Sequence, residues 1–317
     1  MPGTPDDVGG KLIAIKDAPT YPVNGKLFIT SILVTNPDAP VFGAETIYNW
    51  MTAENVVVPR DVVYPKRQST KQATEESESA MTNSQATATA AALRFLGYQF
   101  DPAYYISSIR DYSDARGKLL ANDYVVAIDG KKIESVEEVR AAYSNKKIGD
   151  SLRITVERKS SNGTSTQLTY EIALVASKEA ATSGLKVGKP AIGVLIGTTG
   201  KFPVDIRFNI DDVGGPSAGM IFAVGIVEKM TKEDLLRGRS VAGTGTISAQ
   251  GVVGAIGGIE EKMIGAKRAG ATVFLAPKEN CPDINHVPRG LKVIPVSTLS
   301  EAISVLRQPE NSKFPSC

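Results

Sequence analysis

Histidine is nearly missing from this sequence: His286 is the only one in 317 residues. A histidine-rich metal centre is thereby excluded, and any Ser-His-Asp mechanism would have to use this one residue. Cysteine is almost as scarce. Cys281 and Cys317 do not make a disulfide framework; one bridge or two free thiols are both open, and so is the redox compartment. No charge of one sign dominates, since 36 basic and 34 acidic residues leave a net charge of +2. That balance gives no reason to invoke nucleic acid or an anionic membrane surface. Long apolar runs are missing as well. The longest, Met220 to Val227, is far short of the roughly 20 residues that span a bilayer. The N-terminus has neither a basic n-region nor an apolar h-region. No Gly-x-x-x-x-Gly-Lys-Ser/Thr loop occurs, because Gly200-Lys201 is followed by Phe202 and lacks the upstream glycine. The sequence therefore implies no metal, cofactor or nucleotide.

What remains is a chain long enough for about two ordinary domains, with 42% hydrophobic and 22% charged residues. Lys26 to Val34 alternates well enough for a half-buried strand. Lys66 to Leu96 reads as a solvated lead-in and then a helix, Ala-rich over Ala86–Leu93 and stopped at Gly97. A compact module follows from about Phe100 to Ala176. It carries a strand, an Asp129-Gly130 turn and a second short strand, then a helix over Ser135–Tyr143. Two further strands, Ser151–Arg158 and Gln167–Leu174, flank the turn-forming Ser160-Ser161-Asn162-Gly163. From about Gly188 strands and helices alternate. Strands are expected at Ile192–Ile196, Val204–Ile210, Ser240–Ile247 and Thr272–Ala276, and helices at Ser217–Met230, Ile259–Ala269 and Ser300–Leu306. Such alternation argues an α/β arrangement.

Two motifs carry chemistry. Gly214-Gly215-Pro216-Ser217-Ala218-Gly219 stands between a strand and an apolar helix. Small residues let the backbone turn sharply, and Pro216 suits a helix start. Ser217 would present its hydroxyl where free N–H groups and the helix dipole stabilise an oxyanion. The plainer reading is that Ser217 caps the helix. Gly257-Gly258-Ile259-Glu260-Glu261-Lys262 opens the next helix with a lysine in its first turn. Lysine is disfavoured there by the dipole, and most lysines simply reach solvent. A buried one has its pKa depressed, as a neutral general base requires. With serine as nucleophile such an amine replaces histidine. The strand end Ala242-Gly243-Thr244-Gly245-Thr246-Ile247-Ser248 adds hydroxyls that could orient either group, although threonine is also simply a good strand residue.

These segments, with Gly270 to Asn280, resemble in the same order the proteolytic domain of Lon-type serine peptidases. The resemblance is dense from about Val204 to Val305 and weaker over Lys11–Leu33 and the helix ending at Leu96. It implies Ser217 as nucleophile, Lys262 as general base and Thr244 as support, with backbone N–H groups of Ser217 and Gly215 as oxyanion donors. One departure is Gly214, where the Lon pattern has an acidic residue. The middle module resembles a PDZ domain through Asn122–Gly130 and Gly149-Asp150-Ser151-Leu152. PDZ domains bind peptide tails at a sheet edge, here expected at Tyr105, Ile106, Ser107 and Ser108. The combination is similar to the membrane-associated, PDZ-containing Lon-like branch of bacteria, whose N-terminal anchor this chain lacks. The implied fold is α/β (α+β), a Lon-type proteolytic domain with an inserted PDZ domain: 1–98 and 179–308 proteolytic, 99–178 PDZ-like, 309–317 a tail. The implied partners are protein or peptide substrates, no nucleic acid or nucleotide, and further copies in a homo-oligomeric ring. The implied location is the extracytoplasmic face of the membrane.

Three rivals are weighed against this. Gly215-Pro216-Ser217-Ala218-Gly219 also fits the nucleophile elbow of an α/β-hydrolase, with Asp234 and His286 downstream. No His-Gly-Gly motif accompanies it, and His286 lies in a loop-like stretch. An inactive PDZ scaffold is the second; the presence of both Ser217 and Lys262 speaks against it. An acid pair of Glu260 and Glu261 is the third, but acids at a helix start are favoured by the dipole anyway.

Overall fold

The computed structural model describes residues 1–52, 55–64, 70–159, 164–177, 188–200, 202–210, 213–309 and 312–317. The expected turn at Ser160–Gly163 and the expected border at 178/179 lie outside them. The chain forms two compact units, one of residues 1–99 with 202–317 and one of residues 100–201.

The first part of the chain supplies β1 (Asp6–Asp7), β2 (Ile13–Lys16), β3 (Lys26–Ile29), α1 (Gly43–Met51), α2 (Arg60–Val63) and α3 (Thr70–Phe95). The middle supplies β4 (Pro102–Ile109), β5 (Tyr124–Ile128), β6 (Lys131–Lys132), α4 (Val136–Ala141), β7 (Ser151–Lys159), β8 (Ser165–Ala173), β9 (Val175–Ala176), β10 (Pro190–Ala191) and β11 (Val194–Gly200). The last part supplies β12 (Asp205–Phe208), α5 (Gly219–Met230), β13 (Ser240–Gly243), β14 (Thr246–Ile247), β15 (Val253–Gly254), α6 (Ile259–Arg268), β16 (Val273–Pro277), β17 (Lys292–Val296) and α7 (Leu299–Arg307).

The discontinuous unit is built on the sheet β1-β3-β13-β16-β17, parallel except for β1. Alternate side chains of its strands enter two different cores. Leu27, Ile29, Val241, Val273, Leu275, Ile294 and Val296 face one side, where α3, α5 and α7 pack. Phe28, Ala242, Phe274, Ala276 and Val293 face the other, under α6. A parallel sheet covered on both faces explains why these strands read as continuous apolar runs. Helix α5 is buried from Gly219 to Glu228, as its uniformly apolar sequence demands. Helix α3 turns Met81, Ser84, Ala88, Ala91 and Ala92 inward, at helical spacing. Gly97 ends it at φ +84°, with Tyr98 N–H returning to the Leu93 carbonyl.

Several boundaries differ from expectation. The strand expected to reach Val34 stops at Ile29. The single strand expected over Ser240–Ile247 is two short ones around Thr244-Gly245, with Gly245 at φ +152°. That backbone value needs glycine, so the chain turns out of the sheet there.

The unit of residues 100–201 is a sheet ordered β11-β4-β5-β7-β8, with β6 hairpinned to β5. Asp129 and Gly130, both at positive φ, form that tight turn. Tyr104, Ile106, Leu119, Leu152, Ile154 and Ile172 fill its core with Val139 of α4. Asp123, 1% exposed, takes two 2.7 Å bonds from the Arg158 guanidinium. Strand β11, expected within the proteolytic stretch, pairs along the whole of β4 instead. This corrects the expected peptide edge. Tyr105, Ile106, Ser107 and Ser108 belong to β4, a strand flanked by β11 and β5. The outer strands of this sheet are β11 and β8.

Candidate active site

The parallel strands set the position of the site. Thr244 directly follows β13, at the carboxyl end of the sheet, where ligands collect in open α/β sheets. Ser217 arrives from the side of α5 and Lys262 from α6 on the opposite face. Ser217 lies in the turn just before α5, which begins at Gly219 rather than at the serine.

The carbonyl groups of Pro216 and Ser217 are both held. Ser84 Oγ of α3, 4% exposed, donates to the Pro216 carbonyl at 3.0 Å. The Ser217 carbonyl accepts Gly245 N–H at 2.7 Å and Thr244 Oγ1 at 3.0 Å. Gly219 must be small, because a Cβ there would meet Ser84 Oγ at 2.9 Å. Gly214 must be smaller than the acidic residue of the Lon pattern, since a Cβ would fall 1.9 Å from Ser77 Oγ. Gly215, at φ +83°, gives its N–H to the Ser77 carbonyl at 2.9 Å. That donor, expected to face an oxyanion, is therefore engaged by α3. Ser217 N–H has no partner among the described residues.

Lys262 is 3% exposed in the first turn of α6, and its Nζ donates to Ser217 Oγ at 2.7 Å and to Thr244 Oγ1 at 3.1 Å. Burial pushes its pKa down to about 8, against a smaller upward pull from Glu261. Gly258, at φ +69°, starts the helix and takes Lys262 N–H on its carbonyl. Thr244 is fully buried and bridges the two residues, donating to one and accepting from the other.

His286 is exposed, and its backbone N–H donates to the Glu260 carboxylate at 2.9 Å. Glu260 also takes Asn285 N–H, so it fastens a loop rather than forming an acid pair with Glu261. Asp234 accepts Arg237 N–H and an Asn24 amide, with no bond to the histidine. Two supporting residues had no sequence signal of their own. Ser84 stands just before the Ala-rich stretch of α3, and Asn280 closes the Gly270–Asn280 segment, to which the resemblance gives no residue role. Among the described residues no group of three or more His, Cys, Asp or Glu is placed to hold a metal, and no helix is long and apolar enough to cross a membrane.

The family model of the Lon protease (S16) C-terminal proteolytic domain matches residues 146–308, just over half of the chain. A PDZ domain model matches residues 94–169. Lon protease 2 of Herpetosiphon aurantiacus is 36% identical over 110 residues, 32% of this chain and 13% of that protein. Lon protease 1 of Bacillus subtilis is 42% identical over 93 residues, 28% of this chain and 12% of that protein. The matched stretch thus spans about an eighth of the length of these relatives. Among solved structures, the PDZ domain of the SdrC-like protein from Listeria monocytogenes covers 31% of this chain and 90% of its own, at 25% identity and a TM-score of 0.24. The chain belongs to the Lon protease (S16) proteolytic-domain family and carries a PDZ domain with it.

Proposed function

We propose that this chain is a serine endopeptidase in which Ser217 is the nucleophile and Lys262 its general base. The observation that carries the reading is the 2.7 Å bond between Ser217 Oγ and an amine that is 3% exposed. Neutral Lys262 takes the Ser217 proton as Oγ attacks a peptide carbonyl, and the oxyanion forms beside Ser217 N–H. The lysine returns that proton to the leaving amine. Water, deprotonated by the same amine, then splits the acyl-enzyme and restores the serine. Thr244 holds the lysine and the serine carbonyl in register throughout.

Cleavage needs no nucleotide in this reading, which rests on the lack of a phosphate-binding loop in the sequence. Substrates are then unfolded or exposed segments. The Cys281–Cys317 disulfide favours an oxidising compartment and so an extracytoplasmic location. A homo-oligomeric ring follows from the family resemblance. The PDZ unit recruits an extended peptide by strand addition, on β11 rather than β4. Among the described residues strand β11 pairs on one side only, follows Gly193 at φ +74° and carries half-buried Val194, Leu195 and Ile196.

The test is hydrolysis of casein without ATP by wild type, Ser217→Ala, Lys262→Ala and His286→Ala. Loss in the first two variants and retention in the third is expected. Loss in His286→Ala alone would hand the mechanism to the hydrolase reading. For the PDZ unit, hydrogen exchange with a bound peptide should protect amides of β11; protection confined to β8 would refute that edge.

A further inference from the structure

Behind Lys262 lies a short segment that the proposed chemistry does not use. Lys278–Asp283 forms a 3-10 turn after β16. Within it Asn280 is 2% exposed, and its carboxamide is fully employed. Oδ1 accepts the Ile256 N–H at 2.9 Å, while Nδ2 donates to the Ile256 carbonyl and to Asp283 Oδ2, each at 2.9 Å. One side chain thus answers both backbone groups of a single residue, as a neighbouring strand would. Ile256 stands three residues before α6 begins, and Gly257-Gly258 between them supply no side chain to fix the path.

We propose that Asn280 is a positioning residue for Lys262: by pinning Ile256 it sets where the first turn of α6 starts, and so where the amine stands. This rests on the assignment of Lys262 as general base. Only a carboxamide offers an acceptor and a donor at that spacing. Alanine would leave both Ile256 groups without their partner, and the glycine pair would no longer hold one conformation. Asp283 fixes which way the amide faces. Among the described residues, Glu261 is the charge that acts on Lys262, and Ser217 and Thr244 are its polar neighbours. A displaced α6 would loosen both contacts and admit water to the amine.

The experiment is the rate at which a fluorophosphonate probe labels Ser217, measured from pH 6 to 11 on the full chain. Wild type, Asn280→Ala, Asp283→Ala and Lys262→Ala are compared. Asn280→Ala should label at least about tenfold more slowly at pH 8, and its midpoint should move from about 8 towards the ordinary lysine value of 10.5. Asp283→Ala should move both readouts the same way by less. A merely structural role would lower the folded fraction without moving the midpoint. An unchanged rate and midpoint in Asn280→Ala, with Lys262→Ala unreactive, overturns this proposal alone. If Lys262→Ala labels like wild type, or wild type does not label at all, the general-base assignment falls and this proposal with it. Should Asn280→Ala not fold, the midpoint of Asp283→Ala decides, and an unshifted one overturns the proposal.

Discussion

Lys262 Nζ stands 2.7 Å from Ser217 Oγ although the two side chains come from opposite faces of one parallel sheet. They meet because the chain leaves the sheet at Thr244, whose hydroxyl bridges them at 3.0 and 3.1 Å. Burial holds the amine's pKa near 8. Only the neutral amine can accept the serine proton, so turnover should rise with pH through about 8 and level off above it. At pH 7 roughly a tenth of the enzyme is then competent. Glu261 pulls that pKa upward. Glu261→Gln should therefore shift the rising limb to lower pH and increase the rate at pH 7. A limb that stays put, or moves up, would show that the titrating group is not Lys262.

The same burial has a cost in stability. Between about 8 and the ordinary value of 10.5, the unfolded chain binds a proton that the folded one has released. Stability should thus rise as the pH climbs through that window and be lost again as it falls through about 8. At neutral pH the penalty is on the order of 3 kcal/mol. Lys262→Met should abolish turnover yet unfold at a higher temperature than wild type at pH 7. The gap should narrow towards pH 10, and calorimetry across that range measures it. An equal or lower melting temperature at pH 7 would contradict the burial argument.

Ser217 and Lys262 were legible in the sequence because glycine, proline and a misplaced lysine mark them locally. Thr244 was legible weakly as a strand-end hydroxyl and specifically only through the family resemblance. Ser84 was not, since its role depends on α3 lying beside the nucleophile turn, a contact between residues 132 positions apart. The two cores follow from the continuous apolar runs of the parallel strands, which need cover on both faces. The exchange of β11 between units does not, because strand pairing across almost 90 residues leaves no periodic trace. The peptide edge was misplaced for that reason: β4 carries an edge-like sequence, Tyr104 to Ile109, but has neighbours on both sides.

The two clamps on the nucleophile turn can be ranked. Thr244 is wholly buried and contacts the amine, so Thr244→Val leaves the lysine short of a partner at nearly constant volume. Turnover should fall roughly tenfold or more, in keeping with about 1–3 kcal/mol for a buried group left unsatisfied. Thr244→Ser should restore most of it. Ser84→Ala removes only the bond to the Pro216 carbonyl and should cost less, about 1 kcal/mol. Active-site titration beside turnover separates slower chemistry from fewer folded molecules. A Ser84→Ala defect larger than that of Thr244→Val would reverse the ranking.

Cys281 and Cys317 are joined, 36 residues apart in sequence, so the C-terminal residue is tied to the turn that holds Asn280. Closing a loop of that length restricts the unfolded chain by an amount worth about 3–4 kcal/mol at 25 °C in the chain-entropy account. For a unit of roughly 200 residues this corresponds to about 10 °C in melting temperature. Dithiothreitol should lower the unfolding midpoint of the wild-type protein by up to that amount and leave Cys317→Ser unmoved. The reduced protein and Cys317→Ser should then melt together. If reductant leaves the wild type unchanged, the bridge adds nothing to stability, and the support it lends to an oxidising location is withdrawn with it.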